Sequence, residues 1–136
     1  MILLHDQFGR IAWQLRDDKP DVPSANCWGI FGGWIEPGEV PQEAILREVQ
    51  EELSFVLELS KLEYLGSYRI YPEVIAHIYT YYVTDGLRNA VLGEGQRFEF
   101  LINDDLQGKS TVPRHLALAE WYMKGNRESF AEIQAI

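Results

Sequence analysis

The sequence predicts a mixed α/β sandwich, and three patterns carry that prediction. Short stretches alternate in hydrophobicity, as Ile11, Trp13 and Leu15 do, and read as strands. Two segments carry apolar residues at helical spacing, one from Pro41 to about residue 53 and one over residues 111–125. Strands and helices are interspersed along the chain, with neighbouring strands placed to pair antiparallel.

Residues 2–16, ILLHDQFGRIAWQLR, predict two short strands around a turn at Asp6–Gly9. Residues 17–26, DDKPDVPSAN, hold two prolines and turn formers and read as a surface loop. Residues 27–39, CWGIFGGWIEPGE, mix apolar side chains with four glycines, a short strand entering a tight loop with open backbone. Pro41 suits the first turn of the helix that comes next. Residues 62–85 are rich in β-branched and aromatic side chains and predict a hairpin of long strands. Residues 92–102 predict a loop feeding another strand, and the NDDLQG after them a short helical turn. In the second helix Pro113 marks the start and Gly125 the stop, with Leu116, Ala119, Tyr122 and Met123 as the apolar face. Residues 126–136 are read as a last short helix, and one domain is expected over residues 1–136.

Composition narrows the functional classes. A hydrophobic fraction of 46% suits a soluble globular protein, and no apolar run is long enough to span a membrane. The start, MILLHDQFGR, has an early acid and no basic run, which argues against a signal peptide. A single cysteine, Cys27, excludes an internal disulfide and suits a reducing cytosol, so a cytoplasmic protein is expected. The net charge of −9 argues against a general nucleic-acid binder. It also means that an anionic substrate needs a cation to bring it in. The histidines, His5, His77 and His115, lack metal-ligand spacing.

The segment from Gly32 to Phe55, GGWIEPGEVPQEAILREVQEELSF, holds six glutamates and one arginine. With Ile45 at zero on a helix, Leu46, Val49, Leu53 and Val56 fall within roughly 100° of it. Glu52, Glu48 and Glu51 follow at roughly −20°, −60° and −120°, an acidic patch against the apolar stripe. Each like-charged pair at this spacing costs roughly 0.2–0.5 kcal/mol, and partial burial adds to it. A solvated ladder of Glu43, Arg47 and Glu51 is the plain alternative, and it accounts for Glu43. It leaves three acids at the core edge unexplained. Clustered carboxylates are what a hard cation such as Mg²⁺ or Mn²⁺ requires.

Gly33, then Glu39, then Arg47-Glu48-Val49-Gln50-Glu51-Glu52-Leu53-Ser54-Phe55 resembles the Nudix box, G-x5-E-x7-R-E-U-x-E-E-x-G-U, where U is bulky and aliphatic. The flanks Leu15-Arg16-Asp17, Trp28-Gly29 and Leu92-Gly93-Glu94-Gly95 are similar to that family too. The departure is Ser54, where the family has a glycine that ends the helix in a left-handed conformation, a geometry costing serine about 1 kcal/mol. The resemblance implies an α/β/α sandwich and a hydrolase of nucleoside diphosphates linked to another moiety, with Mg²⁺ or Mn²⁺ as cofactor. It implies Glu48, Glu51 and Glu52 as ligands or base, the Gly32 carbonyl as a further ligand, and Glu94 as an extra acid from a loop. It also implies that Gly33, Glu39 and Arg47 support the site, with Glu39 and Arg47 bracing loop against helix.

Outside the box, Arg16, Tyr68, Arg69, Tyr71 and Arg97 are suited to pairing with phosphates or stacking on a base. Trp28 and Trp34 flank the glycine loop, and core packing explains Trp28 equally well. The expected partner is a small nucleotide such as a nucleoside triphosphate or nucleotide sugar, with no nucleic acid and no membrane. The oligomeric state is left open, a homodimer included. A catalytically silent nucleotide-binding sensor on the same fold is the alternative, and an isomerase is a third. The presence of every glutamate in the box favours the hydrolase.

Overall fold

A strand with apolar residues at successive positions must be covered on both faces, and Ile2, Leu3 and Leu4 are all fully buried. They form β1 (Ile2–His5), inside a six-stranded sheet. The structure is a computed structural model that describes residues 1–125, without the side chains of Ile70 and Tyr71. The helix read over residues 126–136 lies outside the described residues. β1 runs parallel to β5 (Val74–Tyr82) and turns antiparallel into β2 (Ile11–Leu15). The strand order is β3 (Trp28–Gly29), β2, β1, β5, β4 (Glu63–Tyr71), and β6 (Arg97–Leu101) pairs with β2 along its length. One parallel pair among antiparallel ones makes the sheet mixed.

Side-chain alternation divides the interior in two. Ile2, Leu4, Ala12, Phe31 and Tyr81 pack with Ile45, Val49 and Leu53 of α1 (Pro41–Leu53). Leu3, Ile11, Trp13, Trp28 and Ile78 pack with Leu118, Ala119 and Trp121 of α2 (Pro113–Met123). The fold is therefore an α/β/α sandwich. Two residues assigned to apolar faces lie outside them. Val56 is 68% exposed because α1 stops at Leu53, and Met123 is 43% exposed because α2 turns Leu118 and Trp121 inward instead. Among the described residues no helix is long and apolar enough to cross a membrane.

The two ends of α1 are closed by different means. Its N-cap, Val40, has no side-chain acceptor to offer. Glu43 turns back instead and accepts the Val40 N–H at 3.1 Å, a favourable place for an acid in a first turn. Glu43 is thereby drawn away from the ladder with Arg47. At the other end Ser54 adopts the left-handed conformation (φ 52°, ψ 33°) and donates its N–H to the Gln50 carbonyl at 2.9 Å. The last carbonyls of a helix lack intrahelical partners. Here the loop before β6 supplies two, with Val91 N–H donating to Leu53 O at 2.9 Å and Gly93 N–H to Glu52 O at 2.8 Å. Only glycine fits at 93, because a Cβ there would run into the Glu51 carbonyl oxygen.

Ser54→Gly relieves the left-handed strain without removing a contact, so it is expected to stabilise the protein by about 0.5–1 kcal/mol. Urea denaturation measures this, and a lower midpoint for the variant would contradict the assignment of strain to Ser54.

Candidate active site

α1 places three acids on its solvent-to-core edge, and the structure treats them differently. Glu52 is 4% exposed, and its Oε2 has no hydrogen-bond partner among the described residues. Burial pushes its carboxyl up to about 8, the negative charges of Glu48 and Glu94 push the same way, and the Gly32 backbone amide opposes them. Glu48 and Glu51 turn towards Arg47, with Glu48 Oε1 at 2.8 Å and Glu51 Oε2 at 3.3 Å from one guanidinium nitrogen. Among the described residues no group of three or more His, Cys, Asp or Glu is gathered closely enough to hold a metal ion. The convergence expected of Glu48, Glu51 and Glu52 is thus not present in the side-chain positions. The counter-charge of Arg47 draws Glu48 and Glu51 to itself, while Glu52 stays at the core edge.

Arg47 also grips Glu39 through two parallel hydrogen bonds, Nε to Oε2 at 2.8 Å and an amino nitrogen to Oε1 at 2.9 Å. These bonds hold the Glu39 carboxyl down at about 2. The same amino group donates to the Trp34 carbonyl at 3.0 Å, and Glu39 Oε1 accepts the Glu36 N–H at 3.0 Å. The loop from Trp34 to Glu39 is in this way fastened to the helix. Gly33 lies directly against the Glu48 carboxyl group, where a Cβ would collide with it. Gly32 has φ +144°, and its backbone amide faces Glu52.

Glu94 reaches the site because its loop is held from both sides. Besides the Gly93 bond to α1, Gln14 Nε2 donates to the Glu94 carbonyl at 2.7 Å and Asp17 Oδ2 accepts the Gly95 N–H at 3.3 Å. Nothing in the sequence marks Gln14 or Asp17 as a support of this loop. The one signal is a polar residue beside Ala12 on the β2 face opposite Ile11 and Trp13, which reads as a solvent position unless that face is known to be covered.

A cleft of about 380 Å³ opens beside Glu48 and is lined by Gly32, Gly33 and Trp34. Arg16, Ile75, His77 and His115 line it from other elements. His115 Nδ1 accepts the Ile30 N–H at 2.9 Å, and burial lowers its pKa to about 4, so the ring stays neutral. Arg16 donates through Nε to the Pro23 carbonyl at 2.7 Å. Tyr68, Arg69 and Arg97 do not line this cleft. Tyr68 is 2% exposed and fills the core; Arg69 is exposed and donates to the Pro72 carbonyl. Arg97 pairs with Glu99 at 3.1 Å and lies over the buried Trp28 ring. The Tyr71 side chain lies outside the described residues.

Known proteins are similar to this chain in sequence and in fold. The NUDIX domain family model matches residues 1–122. A nucleoside triphosphatase, NudI of Escherichia coli, is 35% identical over 60 residues, 44% of this chain and 41% of that protein. The match thus spans less than half the length of that relative. The CTP pyrophosphohydrolase of Escherichia coli K12 is 28% identical over 116 residues, covering 85% of this chain and 83% of that protein. Among solved structures, the MutT protein from Methanosarcina mazei Go1 superposes with a TM-score of 0.71 at 21% identity, covering 95% of this chain and 91% of that one. At that identity the likeness is one of fold.

The buried Glu52 carboxyl makes a prediction about pH. Its folded pKa of about 8 lies above the ordinary value of 4.5, so the folded state binds the proton more tightly. Its contribution is therefore fully present below pH 4.5 and is lost as pH rises through about 8. Glu52→Gln, tested without metal, is expected to melt higher than wild type at pH 8, by on the order of 4 kcal/mol at most. At pH 4.5 the gap should close. Parallel melting curves across that range would contradict the burial argument.

Proposed function

The chain belongs to the NUDIX domain family, and on that premise we propose that it hydrolyses the diphosphate linkage of a nucleoside diphosphate derivative. The observation that carries this reading is the Glu52 carboxyl, buried with one oxygen unpartnered among the described residues and beside the charges of Glu94 and of Glu48, which lines the cleft. An all-oxygen acidic donor set of this kind suits Mg²⁺ or Mn²⁺. Glu48, Glu51, Glu52, Glu94 and the Gly32 carbonyl would hold the ion. When bound, it neutralises the diphosphate and lowers the pKa of an attacking water.

The chain's own residues do the rest. One glutamate of this set takes the proton of the attacking water. Gly32 and Gly33 let the loop backbone pass close against Met1 and the Glu48 carboxyl, which keeps the loop beside the acid. Arg47 and Glu39 hold loop and helix in fixed relation, which keeps the reacting groups aligned. Nucleoside triphosphates are the favoured substrates, supported by the names of the two curated relatives, with nucleotide sugars next. A catalytically silent nucleotide-binding module is a second reading. One observation favours it, the engagement of Glu48 and Glu51 by Arg47 in place of a gathered cluster.

Turnover separates the two. A panel of nucleotides with Mg²⁺, resolved by chromatography, should reveal a substrate. On it, Glu51→Gln and Glu52→Gln should each lower turnover by roughly 10²–10⁴, or about 3–5 kcal/mol of transition-state stabilisation. Glu43→Gln, at the outer end of the same helix, should leave activity nearly unchanged and cost less than about 1 kcal/mol of stability. Equal activity in all three variants would contradict the hydrolytic reading.

A further inference from the structure

Four tryptophans are present, and three are core residues: Trp13, Trp28 and Trp121 are 0%, 4% and 5% exposed. Trp34 is 76% exposed. Among the described residues no ring contact, cation–π contact or hydrogen bond engages its indole. Leaving so large an apolar surface in water is unfavourable, and neither the core nor the proposed hydrolysis accounts for it.

The position of Trp34 is specific. It follows Gly33, which lies against the Glu48 carboxyl, and it lines the cleft that Glu48 borders. Its backbone is anchored, because its carbonyl accepts from Arg47 and the rest of its loop is tied through Glu39 to the same guanidinium. A flat ring on a fastened loop loses little freedom on binding. From β5, Ile75 also lines the cleft and is 51% exposed, a second apolar surface facing the same space. The cleft thus has an acidic wall at Glu48 and exposed apolar surface at Trp34 and Ile75, with Arg16, Glu73, His77 and His115 also in its lining. Its volume of about 380 Å³ lies in the range of small-molecule sites.

A nucleotide carries the matching pair of features, a charged phosphate chain and a flat aromatic base. We propose that Trp34 is a specificity-determining residue, the platform on which the substrate's base stacks, so that the site selects diphosphates carrying an aromatic base over those without one. This rests on the hydrolase reading and names the chemistry by which that site chooses its substrate. Ile75 covers the base from the β5 side.

Two measurements test it, one independent of turnover. In the wild type, millimolar AMP, GMP, CMP or UMP should protect the one exposed tryptophan from acrylamide quenching, and Trp34→Phe should lack the protected component. On the best nucleoside triphosphate, Trp34→Ala should raise KM about 10-fold, the order of effect that stacking one base on an aromatic ring supplies. Its kcat should move less, Trp34→Phe should restore KM, and the inhibition constant of inorganic tripolyphosphate, which has no base, should stay the same. If the wild type turns over no nucleotide, the hydrolase reading fails while the quenching result still decides the platform. If turnover is normal but no monophosphate protects and Trp34→Ala leaves KM unchanged, the platform alone is overturned. A wild-type dimer that Trp34→Ala dissociates, with KM unaltered, would likewise overturn it in favour of a protein contact.

Discussion

Arg47 donates to both oxygens of Glu39, to Glu48, to Glu51 and to the Trp34 carbonyl, all from one planar guanidinium. Paired, parallel hydrogen bonds to a carboxylate fix direction as well as distance. Glu39 is consequently held ionised, its carboxyl far below the usual range. A lysine would offer a point charge without the fork, so the loop would lose its orientation while keeping its attraction. The loop geometry in turn sets how closely Gly33 approaches Glu48 and where Trp34 stands. Loop, helix and cleft wall therefore share one anchor.

The C-terminal end of α1 depends on backbone instead. Ser54 turns the chain left-handed, and the segment before β6 covers the carbonyls of Glu52 and Leu53. That docking carries Glu94 into the electrostatic reach of Glu52. Gln14 then fixes the Glu94 backbone from the sheet. The acids at the site thus come from a helix and a loop joined by these backbone hydrogen bonds, with Gln14 of β2 holding the loop from its other side. Hydrogen-bonded backbone, rather than attraction between side chains, brings the like charges together.

Much of this is legible in the sequence where a pattern repeats. The period of α1 puts Ile45, Val49 and Leu53 inward and Glu52 at their border, and Glu52 is buried. Pro41 and Ser54 mark the helix's ends because proline and the left-handed turn have local causes. What is illegible depends on partners distant in the chain. Gln14 reads as a surface residue until α1 and the loop with Glu94 are known to cover its side of β2. Tyr68 reads as a ligand contact until both faces of the sheet are seen to be packed. Glu43 reads as Arg47's ladder partner until the missing side-chain cap at Val40 is weighed against it. Trp34 and Trp28 look alike in sequence, and only burial separates them.

The glutamates of α1 have two competitors for their charge, Arg47 within the protein and a divalent cation from outside. Glu48 and Glu51 lie with the first, and Glu52 faces its like-charged neighbours, a backbone amide and the Met1 ammonium. The most direct test is a Mn²⁺ titration of the wild type and Glu52→Gln in the presence of a nucleoside triphosphate, following free Mn²⁺ by electron paramagnetic resonance. Saturable binding by the wild type is expected, weakened at least about 10-fold in the variant. No saturable binding at millimolar Mn²⁺, or identical isotherms for the two proteins, would contradict a cation site built on these acids.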